Sequence, residues 1–157
     1  MTYEVMKKTL IILLMMFAGF SAQTQTLSVY KSELSVDKTT ELLEKVIKDS
    51  GLIFFETVAH DKIAAERGVE MNEIREVLFE NADLTTSLIQ CQPTTALDLP
   101  LKILVWEENE DVYIGFIDVK FMKKRFMLSG CEEIVDDMGK LMVRVVIDTL
   151  RATRSQD

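Results

Sequence analysis

The stretch Ala96–Phe121, ALDLPLKILVWEENEDVYIGFIDVKF, limits what this chain can fold into more than any other, because it reads as a β-hairpin with apolar residues on both faces. With the turn centred on Asn109, Trp106 lies opposite Val112, Leu104 opposite Ile114 and Lys102 opposite Phe116 on one face. Ile103, Val105, Tyr113, Gly115 and Ile117 then line the other. Strands this apolar belong inside a sheet that helices cover, which favours a layered α+β domain. The turn, with Glu107, Glu108, Glu110 and Asp111 around Asn109, is too acidic to bury and must project into water. Lys102 breaks the pattern, a cation on a strand full of hydrophobes.

The flanking segments supply the rest of such a domain. LSVYKSEL alternates as a strand, with Leu27, Val29 and Lys31 on one side and Ser28, Tyr30 and Ser32 on the other. Asp37 is a suitable N-cap for a helix whose Leu42, Leu43, Val46 and Ile47 form a stripe, and Gly51 stops it. A second strand follows at Leu52–Val58, a short helical piece opened by His60 and Asp61 ends at Gly68, and a third strand covers Arg75–Ala82. One or two helical turns fit before Pro93, and VKFMKKRFML suits a short amphipathic helix with Phe121, Met122 and Phe126 inward. Ser129 and Glu132 form a capping box for a last helix reaching about Ala152. Gly139 within it predicts a close approach to the sheet. The result is an α+β two-layer sandwich in β-α-β-α-β-α-β-β-α order. Its mixed or antiparallel sheet has about five strands, with helices packed mainly on one face.

A single domain suits the 157 residues, once the first of them are set apart. Lys7 and Lys8 precede an apolar run from Leu10 to Phe20, then SAQTQT, the three-part pattern of a secretory signal peptide. The run falls well short of the ~20 residues that span a bilayer. Residues 1–22 are therefore expected to be a signal peptide processed between Gly19 and Thr24. Residues 23–157 are expected to form one exported domain, periplasmic or extracellular, with no membrane span. The net charge of −8 makes a polyanion a poor partner, which argues against nucleic acid. Export also makes Cys91 and Cys131 a candidate disulfide; the alternative is a pair of buried thiols.

The common catalytic and cofactor spacings are absent: GxSxG, a glycine-rich phosphate loop, HExxH and CxxC do not occur, so no cofactor is expected. One histidine and two distant cysteines do not make an ordinary zinc site. Met122, Met127, Met138 and Met142 have the soft thioethers that suit Cu(I), but at helical spacing methionine more often fills a core. His60 sits where a strand meets a helix, a place from which a ring either looks into a cleft or bonds backbone. Lys102 either reaches the same cleft or lays its stem along apolar surface.

The order and spacing of several segments resemble the domain of unknown function 302 family over most of the chain, about Leu34 to Leu150. The family's His, with Ala four and Gly eight residues on, corresponds to His60, Ala64 and Gly68. Its Leu-Asp-Leu-Pro-Leu-Lys run stands as Leu97–Lys102, and its later Asp and Arg as Asp118 and Arg125. Where the family has Gly, Pro and Gly, this chain has Glu80, Ala82 and Thr85, so the backbone of that loop is expected to differ. The resemblance implies a compact two-layer α+β fold without an established activity. It also implies that His60, Asn81, Thr86, Lys102 and Asp118 mark one pocket or one structural polar network. The leading expectation is a domain that binds a small molecule, an anion among the candidates, beside His60 and Lys102. The rivals are an enzyme with His60 as general acid or base and Lys102 stabilising developing charge, and an interaction module of the cell envelope. A homo-oligomer is compatible with any of these.

Overall fold

The structure, a computed structural model, describes residues 27–154. Its strands are β1 (Leu27–Ser32), β2 (Ile53–Ala59), β3 (Ile74–Glu80), β4 (Leu101–Glu108) and β5 (Asp111–Ile117). Its helices are α1 (Val36–Asp49), α2 (His60–Ala65), α3 (Ala82–Cys91), α4 (Phe121–Arg125) and α5 (Glu132–Arg154), with a 3-10 segment at Pro93–Asp98. The strands form one sheet in the order β1-β5-β4-β3-β2, each pair antiparallel. The expected α+β layering is therefore present, with a wholly antiparallel sheet.

The central hairpin corrects the register expected from a turn centred on Asn109. Leu104 faces Gly115, Val105 faces Ile114, Trp106 faces Tyr113 and Glu108 faces Asp111. Asn109 and Glu110 form a two-residue turn with φ of 52° and 67°. Two left-handed residues are what a type I′ turn requires, and that turn matches the twist of the flanking strands. A one-residue slip exchanges the faces of β5. Ile114 and Phe116 thus join Ile103 and Val105 on the inner, helix-covered face, where all four are buried. Tyr113, Gly115 and Ile117 lie outside with Lys102, Leu104 and Trp106, and the Trp106 and Tyr113 rings stack at 5.6 Å. At the hairpin tip Lys31 holds Asp111 at 2.7 Å; that hydrogen bond lowers the Asp111 carboxyl below its ordinary 3.8 and raises Lys31.

The inner face meets α1 and α5. Val36, Leu43 and Ile47 recur at helical spacing on α1, as do Val135, Met138, Met142 and Val146 on α5, and all are buried against Val77, Phe79, Ile103 and Ile114. Each such side chain contributes about 1.5–3 kcal/mol by leaving water. The three buried methionines Met122, Met138 and Met142 are thus core, and Met127 stands in solvent. Ser35, rather than the expected Asp37, caps α1 by accepting from the Lys38 N–H. Asp37 lies in the first turn, where its carboxylate accepts from Arg75 at 3.0 Å. Arg75 also binds Asp61 of α2, so one buried cation on β3 holds the start of α1 and all of α2 in place. At the start of α5, Glu132 accepts from the Gly130 N–H at 2.8 Å.

The close approach expected at Gly139 is absent: a Cβ there would sit 3.5 Å from Val119, an ordinary contact. The tight site is Gly115, where a Cβ would meet the Ser28 carbonyl oxygen at 2.6 Å and the Trp106 ring at 3.3 Å. Gly115→Ala is expected to push β1 away from β5 and to cost about 1–3 kcal/mol, read from denaturant midpoints. An unchanged midpoint would mean that β1 yields freely.

Cys91, the last residue of α3, is disulfide-bonded to Cys131, which precedes α5, across a sequence separation of 40. Closing a loop of that length restricts the unfolded chain by roughly 4 kcal/mol on the chain-entropy account. The double variant Cys91→Ser/Cys131→Ser should lose about 2–4 kcal/mol, and a reductant should lower the wild-type midpoint towards it. A midpoint insensitive to both changes would show that the bridge adds nothing to stability.

Candidate functional site

A cavity of about 380 Å³ opens where β4 begins and β5 ends. Its walls are apolar: Leu101 and Leu104 from β4, Phe116 and Ile117 from β5, Leu97 from the 3-10 segment, Phe121 and Met122 from α4, and Met142 from α5. The 3-10 segment forms because Pro93 ends the α3 pattern, and the Thr95 hydroxyl and N–H both bind the Gln92 carbonyl, at 2.7 and 3.0 Å. The Gln92 side chain donates to the Phe126 carbonyl at 3.4 Å. Together with the disulfide, that bond fixes the 3-10 wall against the segment after α4.

Five charged residues reach the cavity: Glu76, Asp98, Lys102, Asp118 and Arg125. The Arg125 Nη1 donates to both oxygens of Asp98 at 2.8 Å, joining α4 to the 3-10 segment and neutralising that side of the mouth. The Asp118 carboxylate accepts from the Lys120 N–H at 2.9 Å and so shapes the chain leaving β5. Lys102 donates to the Pro100 carbonyl at 3.2 Å and has no carboxylate partner among the described residues. Its place on the rim follows from alternation along β4: Leu101 and Ile103 are buried inside, and Lys102 faces out.

Of the five residues singled out in the sequence, the cavity takes Lys102 and Asp118. His60 is the first residue of α2, exposed, with Nε2 3.7 Å from the Glu76 carboxylate. Glu76 stands opposite Leu104 on the outer face, so it lies between His60 and Lys102 and separates them. Asn81 caps α3, its side chain accepting from the Leu84 N–H at 3.0 Å. Thr86 is exposed on α3, outside the cavity. The neighbourhood of Asn81 explains the loop substitutions: Glu80 remains in register with Ile53, and none of Glu80, Ala82 and Thr85 has a positive φ. A regular strand end and an Asn cap thus carry the chain from β3 into α3. Sequence reasoning missed Glu76 and the Arg125–Asp98 pair as site elements. Alternation along β3 was the available signal for Glu76, whereas pairing across 27 residues of chain left none. No group of three or more His, Cys, Asp or Glu is placed to hold a metal ion among the described residues, and none of their helices is long and apolar enough to cross a membrane.

Two comparisons place the chain among curated and solved proteins. The fluoride-specific ion channels FluC 1 of Brucella suis biovar 1 and FluC 1 of Brucella abortus biovar 1 are each 30% identical to it over 105 residues, 66% of this chain. The match covers 41% and 39% of their lengths, so the chain spans about two fifths of the curated relatives it matches. The crystal structure of an uncharacterized conserved DUF302 protein from Bacillus stearothermophilus shares the fold at a TM-score of 0.75 and 16% identity, covering 80% of this chain and 99% of that one. A family model matches residues 28–148, from the first strand almost to the end of the last helix, and by that match the chain belongs to the family described as domain of unknown function DUF302.

Proposed function

We propose that this is an exported binding domain whose cavity takes a small organic molecule with an apolar body and one anionic group set against Lys102. The observation that carries the reading is Lys102 itself, a cation with no carboxylate partner among the described residues, on the rim of an apolar cavity. The other cation of the lining, Arg125, is already matched by Asp98. A cavity of about 380 Å³ is within the usual range for small-molecule sites, and its apolar walls suit an aliphatic or aromatic body. A charge-assisted hydrogen bond from Lys102 would orient the anionic end. His60, held near Glu76 and outside the lining, shares no substrate position with Lys102, which favours binding over acid–base catalysis. Export is supported by the Cys91–Cys131 bridge, since disulfides persist in oxidising compartments. The name of the Brucella relatives belongs to proteins more than twice as long as the matched stretch, so fluoride enters here only as one anion to be tested.

Thermal shifts with acetate, octanoate, decanoate and fluoride, on wild type and Lys102→Met, test the reading. The longer carboxylates should raise Tm, because a ligand at about 100 times its Kd adds about 2.7 kcal/mol to the native state. Acetate should do little, and Lys102→Met should abolish the effect. If no anion stabilises the wild type, and Lys102→Met is neutral or more stable, the lysine is structural and the proposal fails.

A further inference from the structure

The exposed apolar side chains of this domain are not spread evenly. Among the described residues the three most exposed large ones are Met127 at 86%, Leu97 at 82% and Ile117 at 65%. Leu97 and Ile117 line the cavity, and Met127 lies two residues beyond Arg125, which also lines it. Each projects from a turn or an element end: Leu97 from the 3-10 segment, Ile117 from the end of β5, and Met127 just after α4. Met127 is held at φ 47°, a left-handed conformation unfavourable for a residue with a side chain. That conformation closes α4, the Met127 N–H binding the Lys124 carbonyl at 3.3 Å and the Leu128 N–H the Lys123 carbonyl at 3.0 Å, and it leaves the Met127 side chain in water.

The same margin carries the densest run of cations in the chain. Lys120, Lys123, Lys124 and Arg125 fall within six residues that include no acid, in a protein of net charge −8. Lys123 is committed to Asp136 at 2.7 Å and Arg125 to Asp98. Lys120 and Lys124 are exposed and form no ion pair among the described residues. Of the acids beside it, Asp98 and Asp136 are paired with Arg125 and Lys123, Asp118 accepts from the Lys120 N–H, and at physiological salt charges beyond about 8 Å are screened.

We infer that the surface beside the cavity mouth, where Leu97, Ile117 and Met127 are exposed near the Lys120–Lys124 stretch, docks on an anionic lipid surface. Separate aliphatic side chains raised on turns enter the headgroup–acyl boundary one by one, and lysines beside them meet lipid phosphates. A nucleic acid would instead want exposed aromatic faces for stacking, and the three exposed apolar side chains here are all aliphatic. Docked in this way, the cavity opens toward the bilayer. The inference does not depend on what the cavity binds.

Vesicle sedimentation with residues 23–157 tests it. This stretch holds the whole described fold, and the Bacillus stearothermophilus protein, covered over 99% of its length by that fold, stands as such a unit. The protein should sediment with phosphatidylcholine vesicles that contain phosphatidylglycerol, not with phosphatidylcholine alone, and less at high salt. Lys120→Glu/Lys124→Glu should lower partitioning on the order of tenfold or more, since each lysine near the surface is lost twice over by reversal. Leu97→Gln/Met127→Gln should lower it while leaving circular dichroism unchanged. The same charge change at Lys62→Glu/Arg67→Glu, around α2, should leave partitioning as in wild type. Equal sedimentation with both vesicle types, none with either, or an equal loss in the α2 variant overturns the inference. So does a dimer in light scattering that Leu97→Gln dissociates without any vesicle binding, which would assign the rim to a second copy of the chain.

Discussion

The parity of the Asn109–Glu110 turn governs the rest of this structure. Side chains of a strand alternate between faces, so the number of turn residues decides which half of β5 joins the core. With two residues in the turn, Ile114 and Phe116 fill the space under α1 and α5, and Gly115 faces out, where its missing Cβ lets β1 and the Trp106 ring come close. A three-residue turn would send Tyr113 and Ile117 inward and leave Phe116 in water. It would also place a glycine where the core needs volume. The acidic turn tolerates its left-handed residues because asparagine loses little there, and the packing on both sides of the hairpin outweighs the cost at Glu110.

A second constraint is polar. Arg75 lies on the inner face of β3, in a row otherwise formed by Val77 and Phe79, and its guanidinium is met by Asp37, Asp61 and, at 4.0 Å, Glu73. Without those partners a buried guanidinium would cost several kcal/mol. With them it fixes where α1 begins and where α2 folds back against β3. Asp61 also accepts from the Ile74 N–H at 3.4 Å, so the loop between α2 and β3 is closed by the same carboxylate. This arrangement explains why Asp37 is not the cap of α1: Ser35 meets the orphan N–H, and the aspartate is left to the arginine.

Much of the fold was legible because it rests on local periodicity. The α1 stripe, the alternating β1 and the long α5 announce themselves within a few turns of chain, and Gly51 and Gly68 end their segments with positive φ. What was not legible depends on the third dimension. The turn register differs by one residue because ENE lacks the glycine that marks a two-residue turn, and the neighbouring acids fit either centre. Gly139 and Gly115 are both plausible close-approach positions in sequence, and only the packed sheet separates them. His60 stands at the margin of the face that carries Lys102, and alternation puts Glu76 on that face, but its position next to His60 is a cross-strand fact that one segment cannot reveal. The Asn81 cap carries the chain from β3 into α3 with no positive φ at Glu80, Ala82 or Thr85, which no single residue of that loop announces.

The outer face of the sheet divides into two halves, and the division bears on how the cavity works. Over β1, β5 and β4 the face is mainly apolar, with Val29, Leu104, the stacked Trp106 and Tyr113, and Ile117; its ionic pair Lys31–Asp111 sits at the hairpin tip. Over β3 and β2 the same face carries Glu56, Glu76 and Glu80, with His60 beside Glu76 at the margin. Lys102, opposite Leu78, stands at the border between the halves and at the cavity rim. Helices cover only the inner face, so the Lys102 side chain is exposed to water. Had the outer layer been closed, Lys102 would have required a carboxylate in van der Waals reach, and the rim would have been neutral. Openness of the sheet is thus what leaves a cation at the edge of an apolar cavity, while Asp98 is taken up by Arg125 and Glu76 stands 3.7 Å from His60.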